Sequence, residues 1–132
     1  MMLTLAKKYK NMVVLSTGLI GGECEEFARF FPERYYSLGR AERNIAGAAA
    51  GFAIAGKLPV IACSSDFIER AYGVIKNCIC EANFNVKFLI VDAALGQECK
   101  VDEALINTLL NMQRYQSAED CFEAYGPGVV VL

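Results

Sequence analysis

Residues 86–92 read VKFLIVD, and the centre of that run, Phe88 to Val91, is apolar at consecutive positions rather than at alternate ones. A strand with one wet face alternates; a strand apolar on both faces is covered on both. Helices above and below a parallel sheet supply that cover. Outward from this run, MVVLS (12–16), RYYSL (34–38), LPVIACS (58–64), MQRYQ (112–116) and GVVVL (128–132) read as further strands. Segments of helical period separate them, at about 22–31, 42–56, 66–81, 101–110 and 118–124. The alternation predicts an α/β fold, a three-layer sandwich around a mostly parallel sheet of about six strands.

The 132 residues suit a single domain, 1–132, long enough to bury its own core. No repeat, linker or low-complexity stretch interrupts them, and the run after Gly126-Pro127-Gly128 reads as the closing strand of a complete domain. Hydrophobic residues make up 55% and charged ones 21%, with a net charge of −2. That balance lacks the basic excess of nucleic-acid binders. The longest weakly polar run, Ile45 to Gly56, is about twelve residues against roughly twenty needed to span a bilayer, so no membrane partner is expected.

Six scattered cysteines follow an N-terminal segment, Met1 to Lys10, that is too short and too polar for export. They read as reduced thiols of a cytoplasmic protein. Cys78 and Cys80 point about 200° apart on a helix, which suits packing and not a metal site. No histidine is present. That excludes Ser-His-Asp and Cys-His nucleophilic catalysis and leaves carboxylates, arginines or a cofactor to carry any chemistry.

One stretch asks for such a role. Residues 37–56, SLGRAERNIAGAAAGFAIAG, set Glu42 between Arg40 and Arg43 at the entrance of a helix made almost wholly of Gly, Ala and Ile. Glycine costs about 1 kcal/mol relative to alanine inside a helix, so Gly47 and Gly51, one turn apart, need a compensating reason. Close approach of a second helix or a ligand is one; packing against the domain's own sheet is the other.

Tyr36 to Ala94 resembles the pyrimidine-binding domain of transketolase-type thiamine diphosphate enzymes, a group that includes the 1-deoxyxylulose-5-phosphate synthases and the small chains of two-subunit transketolases. Gly39-Arg40-Ala41-Glu42-Arg43-Asn44 stands where that family carries Gly-Ile-Ala-Glu-Gln-Asn, followed by an Ala/Gly helix and a Gly-Lys-x-Pro turn at Gly56 to Pro59. Asp66-Phe67-Ile68-Glu69-Arg70-Ala71-Tyr72 is similar to its Phe-x-x-Arg-Ala-aromatic helix. The resemblance implies roles. Glu42 matches the catalytic glutamate that hydrogen-bonds N1′ of the cofactor's aminopyrimidine and so prompts deprotonation of the thiazolium C2. Phe67 matches the aromatic against the pyrimidine ring, with ordinary core packing as the alternative. Arg70 matches an arginine that contacts substrate phosphate, with a surface ion pair to Asp66 or Glu69 as the alternative.

The chain also departs from the pattern. Arg40 and Arg43 replace apolar and amide residues, and Ser64 stands where a further aromatic is common. After Ala93-Ala94-Leu95-Gly96 the chain passes to Gln97-Glu98-Cys99, where the family continues into a Gly-rich loop ending in a substrate-contacting histidine. No Gly-Asp-Gly, the family's mark of the Mg²⁺–diphosphate domain, occurs in these residues.

The resemblance therefore implies half of a cofactor site. The expected function is the pyrimidine-side subunit of a split transketolase-like enzyme. Thiamine diphosphate would be shared with a separate diphosphate-binding chain that holds the Mg²⁺, and this chain would be inactive alone and would self-associate. A non-catalytic binding or regulatory module is the alternative. The β-type chain of a 2-oxoacid dehydrogenase is a third reading, which explains Asp66-Phe67 but not Arg70-Ala71-Tyr72.

Overall fold

The computed structural model describes residues 1–18 and 22–132. In chain order the elements are α1 (Met2–Lys8), β1 (Met12–Ser16), α2 (Gly22–Phe30), a 3₁₀ turn (Pro32–Arg34), β2 (Tyr35–Ser37), α3 (Glu42–Ile54), β3 (Leu58–Cys63), α4 (Phe67–Arg70) and α5 (Tyr72–Val74). They continue through a π-helical stretch (Ile75–Cys80), β4 (Lys87–Ile90), a 3₁₀ turn (Asp92–Leu95), α6 (Glu103–Asn107), β5 (Gln113–Tyr115), α7 (Ala118–Glu123) and β6 (Gly128–Val131). The six strands form one wholly parallel sheet in the order β2-β1-β3-β4-β6-β5.

The consecutive apolar positions of the central strands now have their explanation. Every residue of β1, β3 and β4 is buried, and alternate side chains feed two cores. Leu15, Ile61, Phe88 and Ile90 point to one face, where α3, the 67–80 segment and α6 cover them. Val14, Val60, Leu89 and Val130 point to the other, beneath α1, α2 and α7. The result is the expected three-layer sandwich.

Three features lie outside the sequence expectation. Helix α1 forms because Met2, Leu5 and Ala6 share one helical stripe and are all buried against the second core. The expected continuous helix over 66–81 is broken at Ala71, which leaves helical geometry at φ −106° and ψ 17°, and it resumes as α5 and then as a π-helix. The wider turn of that stretch brings Ile75, Ile79 and Cys80 to one buried face. Cys78 is exposed and Cys80 buried, so the two thiols diverge. The third feature is Lys87, wholly buried in β4. Its ammonium donates to the carbonyls of Ala124 at 2.8 Å and Gly126 at 2.7 Å, tying the α7–β6 turn to the sheet. Burial drives its pKa down to about 8.

Helix α3 buries Ile45, Ala46, Ala49 and Ala50 and leaves Gly47 and Gly51 on its outer side, where a Cβ would meet nothing within 4 Å. The glycines are thus not required by packing against the domain's own sheet. At its end, Gly56 adopts φ +87° and Lys57 N–H donates back to Phe52 O at 2.9 Å, a glycine stop.

Candidate functional site

The strand order fixes where a ligand can enter. β1 leads into α2 on one face of the sheet and its neighbour β3 leads into α4 on the other, so the chain diverges at their carboxyl ends. In open parallel sheets a crevice forms at such a switch point. Here a cleft of about 890 Å³ opens there, with Thr17 and Gly18 on the β1 side and Ser64, Ser65, Asp66 and Phe67 on the β3 side. Arg40 and Glu42 wall it from the start of α3, Arg70 from α4, and Gln97, Glu98 and Lys100 from the segment after the 92–95 turn.

Glu42 is the first residue of α3 and is half-buried. Among the described residues its carboxylate makes no ion pair within 4 Å, although its charge acts on Arg70 across the cleft wall that both line. Phe67 also borders the cleft, although its side chain is only 1% exposed and its ring lies 6.3 Å from that of Phe88, tilted by 52°. It is a core residue whose edge forms part of the cleft floor. Both residues proposed from sequence for the pyrimidine thus line one cavity.

Arg70 lines the same cavity with its guanidinium 62% exposed. Its Nε donates to Asp66 Oδ2 at 2.7 Å, the ion pair that sequence offered as the alternative to phosphate. Asp66 is gripped from its other oxygen by the Ser64 hydroxyl. Those two donors, Ser64 foremost, hold its carboxyl below the usual carboxylate range.

Sequence reasoning missed Asp92. It follows β4, is 2% exposed, and borders the cleft. Both its oxygens accept the Ser65 N–H, at 3.2 and 3.0 Å, while Ser65 Oγ accepts the Lys100 N–H at 3.2 Å. Ser65 therefore joins the cleft floor to the segment above it. An acidic residue at the carboxyl end of a central parallel strand was the available signal. Cys63, next to Ser64, is inert by contrast: burial, with the nearby Asp92 charge, pushes its thiol up.

The residues present fit one end of the cofactor that the resemblance implies. A carboxylate without an ionic partner beside an aromatic edge suits an aminopyrimidine, which offers ring nitrogens and a flat apolar face. Among the described residues no group of three or more His, Cys, Asp or Glu is placed to hold a metal ion. None of their helices is long and apolar enough to cross a membrane.

Comparison with known proteins agrees with this geometry. Residues 1–104 match the family model for the transketolase pyrimidine-binding domain. A 1-deoxy-D-xylulose-5-phosphate synthase of Pelotomaculum thermopropionicum is 38% identical over 98 residues, which are 74% of this chain and 15% of that protein. A putative transketolase C-terminal section of Methanocaldococcus jannaschii is 36% identical over 121 residues, covering 84% of this chain and 38% of that protein. The solved structure of a split-gene transketolase, an inactive β4 tetramer, superimposes with a TM-score of 0.82 at 32% identity, over 98% of this chain and 47% of that one. The transketolase of Campylobacter jejuni shares the fold, with a TM-score of 0.71 at 15% identity over 96% of this chain and 23% of that one. The chain thus spans less than half the length of each of these relatives.

Proposed function

The chain belongs to the transketolase pyrimidine-binding domain family, and from that premise we propose that it is the pyrimidine-side subunit of a split thiamine diphosphate-dependent transketolase-like enzyme. The observation that carries this reading is Glu42: it stands at the head of α3 on the wall of the switch-point cleft, with no ionic partner among the described residues. The chain's similarity to a putative transketolase C-terminal section and to a split-gene transketolase supports a division between two chains.

In this reading Glu42 shares a proton with N1′ of the aminopyrimidine, and Phe67 offers the ring edge against which the pyrimidine rests. Thiamine diphosphate, once bound, supplies an acidic thiazolium carbon that makes and breaks carbon–carbon bonds beside carbonyls. Arg70 is the candidate for a substrate phosphate, provided that it exchanges Asp66 for the ligand. Mg²⁺ and the diphosphate belong to the partner chain. The six free cysteines, four of them buried, suit a reducing cytoplasm. In this reading residues 1–132 contribute one pyrimidine-binding domain.

Co-purification of the tagged chain from its native host tests the proposal. A stoichiometric second chain carrying a Gly-Asp-Gly diphosphate domain is expected. Recovery of this chain alone, in cells that contain such a protein, would overturn it. The segment after Gly96, with Gln97, Glu98 and Lys100 at the cleft and no histidine, favours a second reading in which the assembly binds without turning over.

A further inference from the structure

The segment after the 92–95 turn crosses from one face of the sheet to the other. Leu95 packs against the second core, beneath α1, α2 and α7, and Val101 packs against the first, beneath α3. Between them residues 97–100 are exposed, have no regular structure, and pass over the carboxyl ends of the strands, where Gln97, Glu98 and Lys100 line the cleft. An exposed stretch of this kind buries too little apolar surface to offset the entropy of ordering it. Its place depends on hydrogen bonds. Among the described residues the backbone of 97–100 makes two: Gln97 N–H donates to the carbonyl of Asp92 at 2.9 Å, and Lys100 N–H donates to Ser65 Oγ at 3.2 Å.

The two acceptors are themselves joined. Ser65 N–H donates to both carboxylate oxygens of Asp92, at 3.2 and 3.0 Å. Asp92 is 2% exposed, and a carboxylate taken out of water holds firmly to the donor that meets it. It thereby fixes the Ser65 backbone, from which the Ser65 hydroxyl reaches the far end of the segment, while the Asp92 carbonyl takes the near end. The end of β4 alone needs neither the Asp92 carboxylate nor the Ser65 hydroxyl. We propose that Ser65 and Asp92 are positioning residues that clasp both ends of a strap, residues 97–100, across the mouth of the cleft. They decide that an entering ligand meets the Gln97 amide, the Glu98 carboxylate and the Lys100 ammonium as one fixed wall. The clasp is made within this chain and needs neither the cofactor nor a partner chain, so its failure would leave the two-chain reading untouched, and the reverse holds as well.

Amide hydrogen exchange of the ¹⁵N-labelled chain tests the clasp. The Lys100 amide, although its residue is exposed, should exchange at least tenfold more slowly than a free-chain amide at the same pH. Ser65→Ala keeps the bond to Asp92 and removes only the hydroxyl, so Lys100 should reach the free-chain rate while Ile61 and Leu89 in the sheet stay unchanged. Ser65→Thr, which restores a hydroxyl, should restore the protection. Asp92→Asn keeps the shape and removes the charge, and should speed exchange at Lys100 at least threefold with the sheet amides again unchanged. A nitroxide on the exposed Cys99, in a Cys78→Ser background, gives an independent spectroscopic signature: Ser65→Ala should narrow its spectrum and Ser65→Thr should not. Free-chain exchange at Lys100 in the parent, or full protection there in Ser65→Ala, would overturn the proposal. Equal acceleration at Lys100, Ile61 and Leu89 in Asp92→Asn would overturn the positioning role of Asp92 and make it a residue of general stability.

Discussion

Arg70 donates from Nε to Oδ2 of Asp66 at 2.7 Å, across one helical turn, and the Ser64 hydroxyl holds the opposite carboxylate oxygen. The arrangement holds the guanidinium on the cleft wall with its charge already partly answered by Asp66. Asp66→Asn removes the competing charge, so affinity for inorganic phosphate, followed by amide shifts of the ¹⁵N-labelled chain, should rise by roughly two- to fivefold. Both side chains are about half-exposed or more, so the melting temperature should move by no more than about 2 °C. A variant that binds phosphate no better than the parent would show that Asp66 does not compete for Arg70.

The same carboxylate sets a pH limit. Asp66 titrates below the ordinary aspartate range, so the folded state holds fewer protons than the unfolded chain through that window. Its contribution to stability is present above the unfolded value and is lost as pH falls through the folded one. At pH 4 the pair should still be intact, and carboxyl NMR should show the Asp66 midpoint below the ordinary aspartate value.

Glycines 47 and 51 lie on the exposed side of α3 with open space where a Cβ would stand. Replacing either by alanine should stabilise the isolated chain by about 0.5–1 kcal/mol, because helix propensity improves and nothing is displaced. If another subunit packs on this face, the same changes should weaken assembly. Urea melts and sedimentation velocity measure the two effects separately. Lower stability in the melts would show that the glycines serve the fold of the single chain.

Lys87 and the buried thiols oppose one another in alkali. Lys87 loses its proton near pH 8 in the folded state, against about 10.5 when free, so the unfolded chain binds more protons between those values and stability rises with pH. Cys24 and Cys121, raised to about 11, and Cys80, raised to about 12, keep their protons when folded but lose them from about 9 when unfolded, so above pH 9 stability falls. Between pH 8 and 9 the Lys87 gain, about 1 kcal/mol taken alone, is largely offset by the thiols, and beyond pH 9 stability falls. Lys87→Met should abolish the gain and keep the loss, as read from denaturant midpoints at stepped pH.

Glu42→Gln preserves the shape of the α3 entrance while removing a group that can exchange a proton. In the reconstituted pair it should leave assembly unchanged and slow exchange of the cofactor's C2 proton in deuterated solvent by orders of magnitude. An unchanged exchange rate would give Glu42 a structural role.

The central strands were legible because burial on both faces writes itself as consecutive apolar residues, and the place of Glu42 and Arg70 on the cleft wall because their motif keeps its spacing. What stayed hidden depends on contacts distant in sequence. Lys87 is tolerated in the core only because carbonyls 37 and 39 positions away receive it, and the turn at Ala71 answers to packing across α3 and the sheet rather than to local propensity. Asp92 was read as the end of a strand, and its place on the cleft floor required the order of β1, β3 and β4. Phe67 posed a choice between core and site, and it is a buried core residue that also borders the cleft.

The segment from Gly96 to Lys100 bears on substrate choice. It borders the cleft with Gln97, Glu98 and Lys100, and its backbone is tied to Ser65 by the Lys100 N–H at 3.2 Å. The resemblance places histidine-bearing contacts with a sugar in this region, and none is present here. Even where Arg70 meets a phosphoryl group, as proposed, a single anchored end leaves the reacting carbon free to sample many orientations. Rate acceleration depends on fixing that carbon through contacts along the substrate. Turnover of ordinary ketose and aldose phosphates should therefore be weak or absent even with a competent diphosphate-domain partner, while binding of the same compounds persists. Steady-state kinetics of the reconstituted pair checks this. A transketolase-like kcat/KM on such sugars would show that Gln97, Glu98 or Lys100 supplies the orientation after all, and substitution of each in turn would identify which.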